Sequence, residues 1–107
     1  MMSVKITGLD ATIKKFNKEY KGELELSKKA YINLLMFQVA LNTPVDTGRA
    51  QEGWYTKDDE IRNDVPYISA LNEGHSTQAP ANYVEATLLS NPGVKPNGMI
   101  VRYRETE

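Results

Sequence analysis

Residues 43–49 read Thr43-Pro44-Val45-Asp46-Thr47-Gly48-Arg49, and Trp54 follows shortly after them. Before this stretch, apolar residues recur at helical spacing, and after it apolar and polar residues alternate as in a strand. Pro44 ends the helix because the residue before a proline is disfavoured in the α region. Asp46 can accept backbone hydrogen bonds and Gly48 can supply a positive φ, so the stretch predicts a turn from helix to strand.

Upstream of this turn, the sequence predicts one long amphipathic helix from Asp10 to about Asn42. Asp10 is a suitable N-cap, since its carboxylate can accept a hydrogen bond from a free N–H group of the first turn. Gly22 costs about 1 kcal/mol relative to alanine inside a helix, so it could kink or split this one. A continuous helix of this length would span roughly 50 Å, which exceeds a compact domain. The predicted apolar face consists of Ile13, Phe16, Tyr20, Leu24, Tyr31, Leu34, Leu35 and Leu41.

Four short strands are predicted around the helix. They cover Ser3–Thr7, residues 50–57, Ile61–Val65 and Met99–Tyr103. Asp58-Asp59-Glu60 is the turn of a hairpin, and short helices begin at Pro66 and Pro80, because proline is favoured in a first helical turn. The expected fold is a single α+β domain over residues 1–107. It has a long N-terminal amphipathic helix packed on a small mixed or antiparallel sheet of about four strands, plus two short helices.

The composition is that of an ordinary globular domain, with 40% hydrophobic and 25% charged residues. The chain has no cysteine, which excludes disulfides, thiolate catalysis and cysteine-type zinc sites. The longest uninterrupted apolar run, Leu34–Phe37, is far shorter than the roughly 20 residues that span a bilayer. No apolar run follows the first residues, so no signal peptide is expected. A net charge of −1 argues against a dominant nucleic-acid interface.

The charge is divided unevenly along the chain. Residues 1–29 carry seven lysines and four acids, whereas residues 46–73 carry three basic and seven acidic side chains. Patches of opposite sign can attract neighbouring copies of a chain. A lysine-coated helix beside an acidic loop explains the same pattern and is the simpler interpretation.

The tripeptide Asp46-Thr47-Gly48 is also the catalytic motif of aspartic proteases, and the chain has about the length of the dimeric retroviral form. That chemistry needs two carboxylates that share a proton, one from each subunit. The tripeptide must then end a buried strand, whereas a helical pattern precedes it here, and the isolated glycines downstream predict no flap. Arg49 would favour an ionised Asp46, which opposes a shared proton. A dimeric aspartic protease is therefore the distant alternative.

No catalytic residue, metal ligand or cofactor site is predicted. His75 is the only histidine, and the spacing Glu73-Gly74-His75 matches no helix-borne ligand pair, so a surface loop is expected. Trp54, Tyr55 and Tyr67 are the candidate interface residues, because aromatic side chains are typical of cores and of subunit contacts.

Three segments, in order, resemble one protein family. They are Thr43–Arg49 with Trp54 downstream, Asn63-Asp64-Val65-Pro66-Tyr67 with Glu73-Gly74-His75-Ser76, and Gln78-Ala79-Pro80-Ala81. Over roughly residues 10–90 the chain is similar to the small tail-component, or tail completion, proteins of long-tailed phages and prophages. The family pattern has a leucine at the position of Ala50. The motif residues that the resemblance marks are Pro44, Asp46, Thr47, Gly48, Arg49, Asn63, Pro66, Tyr67, Glu73, Gly74 and Pro80.

The resemblance implies a structural, non-enzymatic protein at the neck, where the tail tube meets the head connector. Proteins of this family act as rings, commonly hexamers. The implied partners are other copies of the chain, the tail tube or terminator protein, and head connector or adaptor proteins. A small-molecule substrate, a membrane and sequence-specific nucleic acid are not implied. The expected location is the tail or neck of the virion, and the host cytoplasm during assembly. Another head–tail adaptor or a minor tail protein is the alternative within the same class.

Overall fold

The computed structural model describes residues 1–20, 25–44, 48–74 and 81–103, which form an α+β fold. A 3₁₀ turn, Pro96–Gly98, leads into the last strand. The other elements, in chain order, are β1 (Met2–Ile6), α1 (Asp10–Glu19), α2 (Lys28–Leu41), α3 (Arg49–Glu52), β2 (Trp54–Lys57), β3 (Glu60–Asn63), α4 (Ile68–Asn72), α5 (Tyr83–Leu89) and β4 (Met99–Tyr103). The predicted α+β class and the sheet of about four strands are confirmed, and of the two predicted alternatives, mixed or antiparallel, the sheet is antiparallel.

The four strands form one sheet in the order β2-β3-β1-β4, and all three pairings are antiparallel. The N-terminal strand is therefore central, with Val4 opposite both Ile61 of β3 and Val101 of β4. Alternation along β1 decides which face is covered, since Val4 is fully buried and Lys5 is exposed. Helix α2 packs against β2 and β3 on the covered face, and α5 packs against α2.

The strand prediction is confirmed for β1, β3 and β4, which lie within one or two residues of the predicted bounds. The hairpin turn is also found, and Asp58 adopts a φ of 55°, a conformation that aspartate tolerates. The first half of the strand predicted at residues 50–57 is wrong, because α3 occupies residues 50–52. Gly48 has a φ of 74° and begins this helical turn. The carbonyl of Ala50 then accepts a hydrogen bond from the Asn63 side chain at 2.8 Å instead of pairing in the sheet.

The single helix predicted from Asp10 to about Asn42 is wrong, because the structure has α1 and α2 in its place. Gly22 lies outside the described residues. A new N-cap begins the second helix, where the Ser27 hydroxyl accepts a hydrogen bond from the Ala30 N–H at 3.0 Å. Asn17 holds the chain before this cap against α1, since its amide oxygen accepts from the Leu26 N–H at 2.7 Å and its amide nitrogen donates to the Leu26 carbonyl at 3.0 Å.

The N-cap predicted for the first helix is also wrong. Helix α1 begins at Asp10 itself, and Leu9 occupies the N-cap position without a side-chain hydrogen bond. Leu9 is fully buried, so apolar packing positions the start of this helix. The Asp10 carboxylate instead lies 3.9 Å from the Lys28 ammonium, an exposed contact of the kind that contributes little to stability.

The apolar face of the helical region differs from the predicted one. In α2 the buried side chains are Tyr31, Ile32, Leu35 and Val39. Leu34 and Leu41 were predicted on the core face, but they are 50% and 76% exposed, and Phe16 and Tyr20 of α1 are exposed as well. The break between the two helices explains these errors, because it shifts the angular phase that one continuous helix would keep.

Both predicted short helices exist, but they begin later than predicted. Helix α4 begins at Ile68, because Pro66 and Tyr67 form a turn before it, which the Ile68 N–H closes by donating to the Val65 carbonyl at 3.1 Å. Helix α5 begins at Tyr83, and Pro80 lies outside the described residues.

Candidate functional site

The motif that precedes β2 is described at its two ends only. Val45, Asp46 and Thr47 lie outside the described residues, as do His75 and Pro80. Pro44 follows α2, and Gly48 leads directly into α3. In residues 25–44, the described segment directly before the tripeptide, there is no strand. The aspartic protease alternative calls for such a strand, and it stays a prediction from the tripeptide alone.

The Thr43 hydroxyl is the centre of a buried hydrogen-bonded cluster that joins three elements. It donates to the Val39 carbonyl at 2.8 Å, and it accepts from the Trp54 indole N–H at 2.8 Å and from the Tyr83 hydroxyl at 3.3 Å. A hydroxyl has one hydrogen to donate and two lone pairs, so Thr43 is fully satisfied. The cluster ties α2, β2 and α5 together. The sequence pattern identified Trp54 but not its partner.

Asn63 forms a second buried cluster behind α3. Its amide nitrogen donates to the Ala50 carbonyl, and its amide oxygen accepts from the Val65 N–H at 2.9 Å. Gly53 passes so close that a Cβ there would lie 2.8 Å from Val65 Cγ2 and 2.9 Å from the Asn63 amide oxygen. The glycine is needed for this close approach. Asn63 therefore sets the path of the chain on both sides of the hairpin.

Asn72, at the end of α4, is a third buried amide, and it was not among the residues predicted from the sequence. It donates to Glu85 Oε1 at 2.6 Å and to the Tyr103 hydroxyl at 2.8 Å, and it accepts from the Val84 N–H at 3.0 Å. Its partners come from α5 and β4, far along the chain, so no local signal marks it. Glu73 follows as the C-cap of α4, and Gly74 comes next with a φ of 93°.

Burial raises the pKa of four tyrosines, Tyr31, Tyr55, Tyr83 and Tyr103, above the usual value of about 10. The unfolded chain therefore loses these phenolic protons at a lower pH than the folded chain does. We expect their contribution to stability to be complete below pH about 10 and to be lost as pH rises above it. Urea unfolding at several pH values between about 9 and about 11 measures this slope. Tyr31→Phe should reduce the slope, and an unchanged slope would contradict the assignment.

The three candidate interface residues have different surroundings. Trp54 is only 6% exposed, so its side chain stabilises its own chain, and any effect on an interface is indirect. Tyr55 lies on the open face of the sheet, where its hydroxyl donates to Asp64 Oδ2 at 2.8 Å. Tyr67 precedes α4 and is 37% exposed. Tyr55 and Tyr67 are therefore the two that a partner could contact.

The open face of the sheet is basic. The strand register places its side chains in two rows across the four strands. The rows are Tyr55, Arg62, Ser3, Arg102 and Lys57, Glu60, Lys5, Ile100. Four of these side chains are cations and one is an anion, although the whole chain has a net charge of −1. The hydrogen bond to Glu60 raises the pKa of the Arg62 guanidinium, which keeps it charged. We refer to these eight residues as the basic sheet face.

The exposed side of α2 is apolar. Leu34, Phe37 and Leu41 are 50%, 61% and 76% exposed, and Ala30 lies in line with them one turn earlier and is also exposed. No charged residue occurs between Ala30 and Pro44. An exposed row of large apolar side chains on a protein surface often marks a site where other protein binds. We refer to Ala30, Leu34, Phe37 and Leu41 as the α2 stripe.

No cluster of metal-binding side chains forms in the part of the chain that the structure describes, because no three His, Cys, Asp or Glu side chains come together there as a metal site would require. An open depression is lined by two lysines, two aspartates and a threonine, namely Lys28, Lys29, Asp58, Asp59 and Thr56. Among the described helices, none has the length and apolar character needed to cross a bilayer.

No model of a known protein family matches the chain, and no functionally characterised protein or solved structure matches it either. The similarity to tail completion proteins therefore stays a prediction from the sequence motifs.

Proposed function

We propose that the chain is a structural protein of a tailed phage or prophage particle, where it joins head and tail at the neck through protein–protein contacts. The observation that carries the proposal is the structural role of residues in the segments that resemble the tail completion family. Thr43, Trp54 and Asn63 all make buried hydrogen bonds that fix the fold. Catalytic groups are typically found in clefts with perturbed pKa values. Motif residues that fix the fold, and do not line a cleft, are expected in a structural protein that acts through protein–protein contact surfaces.

The basic sheet face supports a role in assembly. Its excess of positive charge would attract an acidic surface, and residues 46–73 carry half of the acids of the chain. Contacts between two different faces of neighbouring copies are heterologous, and they close into a ring when the rotation between copies allows it. Tyr55 lies on this face, so it is the candidate interface residue that best suits such a contact.

The test uses particles made by the phage or prophage that encodes the chain. Deletion of its gene should leave filled heads and finished tails unjoined, and expression from a plasmid should restore complete particles. Antibody labelling in negative-stain images should place the protein at the neck. Joined, infectious particles without the chain would contradict the proposal. Labelling along the tail or at its tip would favour a minor tail protein instead.

A matched pair of variants tests the basic sheet face in the same system. Lys57→Glu reverses a charge on this face, whereas Lys14→Glu reverses an exposed charge on α1. We expect unjoined particles with Lys57→Glu and normal particles with Lys14→Glu. Unjoined particles with both variants would show that net charge matters and that the position on the basic sheet face does not. Normal particles with both variants would show that the charge of Lys57 is not needed for joining.

A further inference from the structure

The spacing of the α2 stripe indicates the kind of partner that covers it. Ala30, Leu34, Phe37 and Leu41 are separated by four, three and four residues. This alternation keeps one line of side chains on one side of a helix and is typical of a seam between two packed helices. The occupant is therefore expected to be a helix with an apolar seam of its own.

The stripe is held outward by its neighbours. The Gln38 side chain exchanges two hydrogen bonds with Asn91, at 3.0 and 2.9 Å, and the Asn42 amide donates to Thr87 at 2.9 Å. On the other side, Asn33 accepts from the Thr56 hydroxyl at 2.7 Å. These bonds use side chains that flank the stripe, so α2 cannot rotate to bury Phe37 without breaking them.

We propose that the α2 stripe is the contact between two copies of this chain, whose α2 helices pack antiparallel about a twofold axis. Because residues 30–44 carry no charge, the contact removes no charged group from water on either side. In the antiparallel register centred on the stripe, Leu34 lies opposite the second copy's Phe37, and the small Ala30 lies opposite the large Leu41. At each end of the seam a small side chain then faces a large one, which is one way in which packed layers fill space.

The charges at the ends of α2 favour the antiparallel direction. Its first turn contains Lys28 and Lys29 but no acid, and its last turn contains no basic residue. Cations are unfavourable at a helix N-terminus and favourable at a C-terminus. An antiparallel copy brings its lysines to the C-terminal carbonyls that lack a cation, whereas a parallel copy would place lysines beside lysines.

The size of the stripe predicts a weak pair. A fully buried aromatic covers about 150–250 Å², so these partly exposed side chains present on the order of 350 Å². Two copies would then bury roughly 700 Å², below the about 1,200 Å² of stable complexes. A twofold contact uses the same patch on both copies and does not extend into a ring, so this inference is independent of the proposed function.

Disulfide trapping tests the pairing, since the natural chain has no cysteine. Ala30→Cys and Leu41→Cys proteins with different tags are mixed under mild oxidation. We expect the mixed disulfide to form at least about tenfold faster than the Leu41→Cys homodimer. In the proposed register the two Leu41 sites lie about 17 Å apart along the helices, beyond the about 7 Å that a disulfide spans.

The added substitution Phe37→Lys should lower the yield of the mixed disulfide at least about fivefold, a free-energy change of about 1 kcal/mol. Ile100→Lys, a matched change on the basic sheet face, should leave the yield unaltered. Both side chains are exposed, and circular dichroism checks that each variant folds. A Leu41→Cys homodimer that forms as fast as the mixed disulfide would overturn the antiparallel pairing. The yield of the mixed disulfide is also compared with the disulfide yield of an Asn97→Cys control, an exposed site elsewhere. A mixed yield no higher than the control would contradict the pairing of two copies, and the partner of the stripe would then be a helix of another protein.

Discussion

Trp54→Ala is expected to destabilise the fold by about 3–5 kcal/mol, the range for removing a large aromatic side chain from a core. The side chain is 6% exposed, and it lies in the same core as Leu35 and Val39 of α2. The substitution also removes the indole N–H that donates to the Thr43 hydroxyl. Urea unfolding followed by circular dichroism measures the effect, since Trp54 is the only tryptophan and its fluorescence is lost with it.

Two further variants separate packing from hydrogen bonding. Trp54→Phe keeps most of the apolar contact but not the donor, so we expect a smaller loss that includes about 1 kcal/mol for the hydrogen bond. Phe37→Ala is the matched surface control, because Phe37 is 61% exposed, and it should change stability by less than about 1 kcal/mol in dilute solution. A Trp54→Ala effect no larger than that of Phe37→Ala would show that Trp54 is not a core residue.

The strands were predicted correctly where the signal is local. Alternation in β1 and β4 and the turn at Asp58-Asp59 depend on residues next to one another, and these elements lie near their predicted bounds. The placement of β1 between β3 and β4 joins opposite ends of the chain. Nothing within a short window of sequence specifies such a pairing.

The helical region was predicted incorrectly because its periodicity continues across a break. The Ser27 N-cap begins α2 as a separate helix. Two hydrogen bonds between the Asn17 side chain and the Leu26 backbone fix the segment before this cap against α1. Helix α2 is apolar on both sides, so periodicity alone could not choose the buried one. Which side of α2 is buried depends on its tertiary neighbours. Leu35 packs into the core beneath the sheet, whereas Phe37 stays 61% exposed in the described part of the chain.

The buried amides could not be predicted from the sequence. An asparagine reads as a turn or surface residue, and its burial is favourable only when all its partners are present. The partners of Asn72 come from α5 and β4, which only the folded chain brings together. Asn63 was singled out through the resemblance, but the sequence did not indicate that it would bind the Ala50 carbonyl.

Asn63→Ala is expected to destabilise the fold by about 3 kcal/mol, because it leaves two buried backbone groups, the Ala50 carbonyl and the Val65 N–H, without partners. Asn63 is fully buried, so water cannot replace the lost amide without opening the structure. Urea unfolding followed by Trp54 fluorescence measures the loss. Asn97→Ala, at an exposed asparagine, is the matched control and should change stability by less than about 0.5 kcal/mol.

Asn63→Asp gives the same site a distinctive dependence on pH. A carboxyl group here can still accept from the Val65 N–H, but only its protonated form can donate to the Ala50 carbonyl. Burial and this hydrogen bond both favour the neutral form, so the pKa of the introduced carboxyl should rise above its usual value of about 3.9. The stability deficit relative to the natural chain should therefore be small in acid and grow as pH rises through the raised pKa. A deficit that is equal at pH about 4 and pH about 8 would contradict the donation by Asn63 to the Ala50 carbonyl.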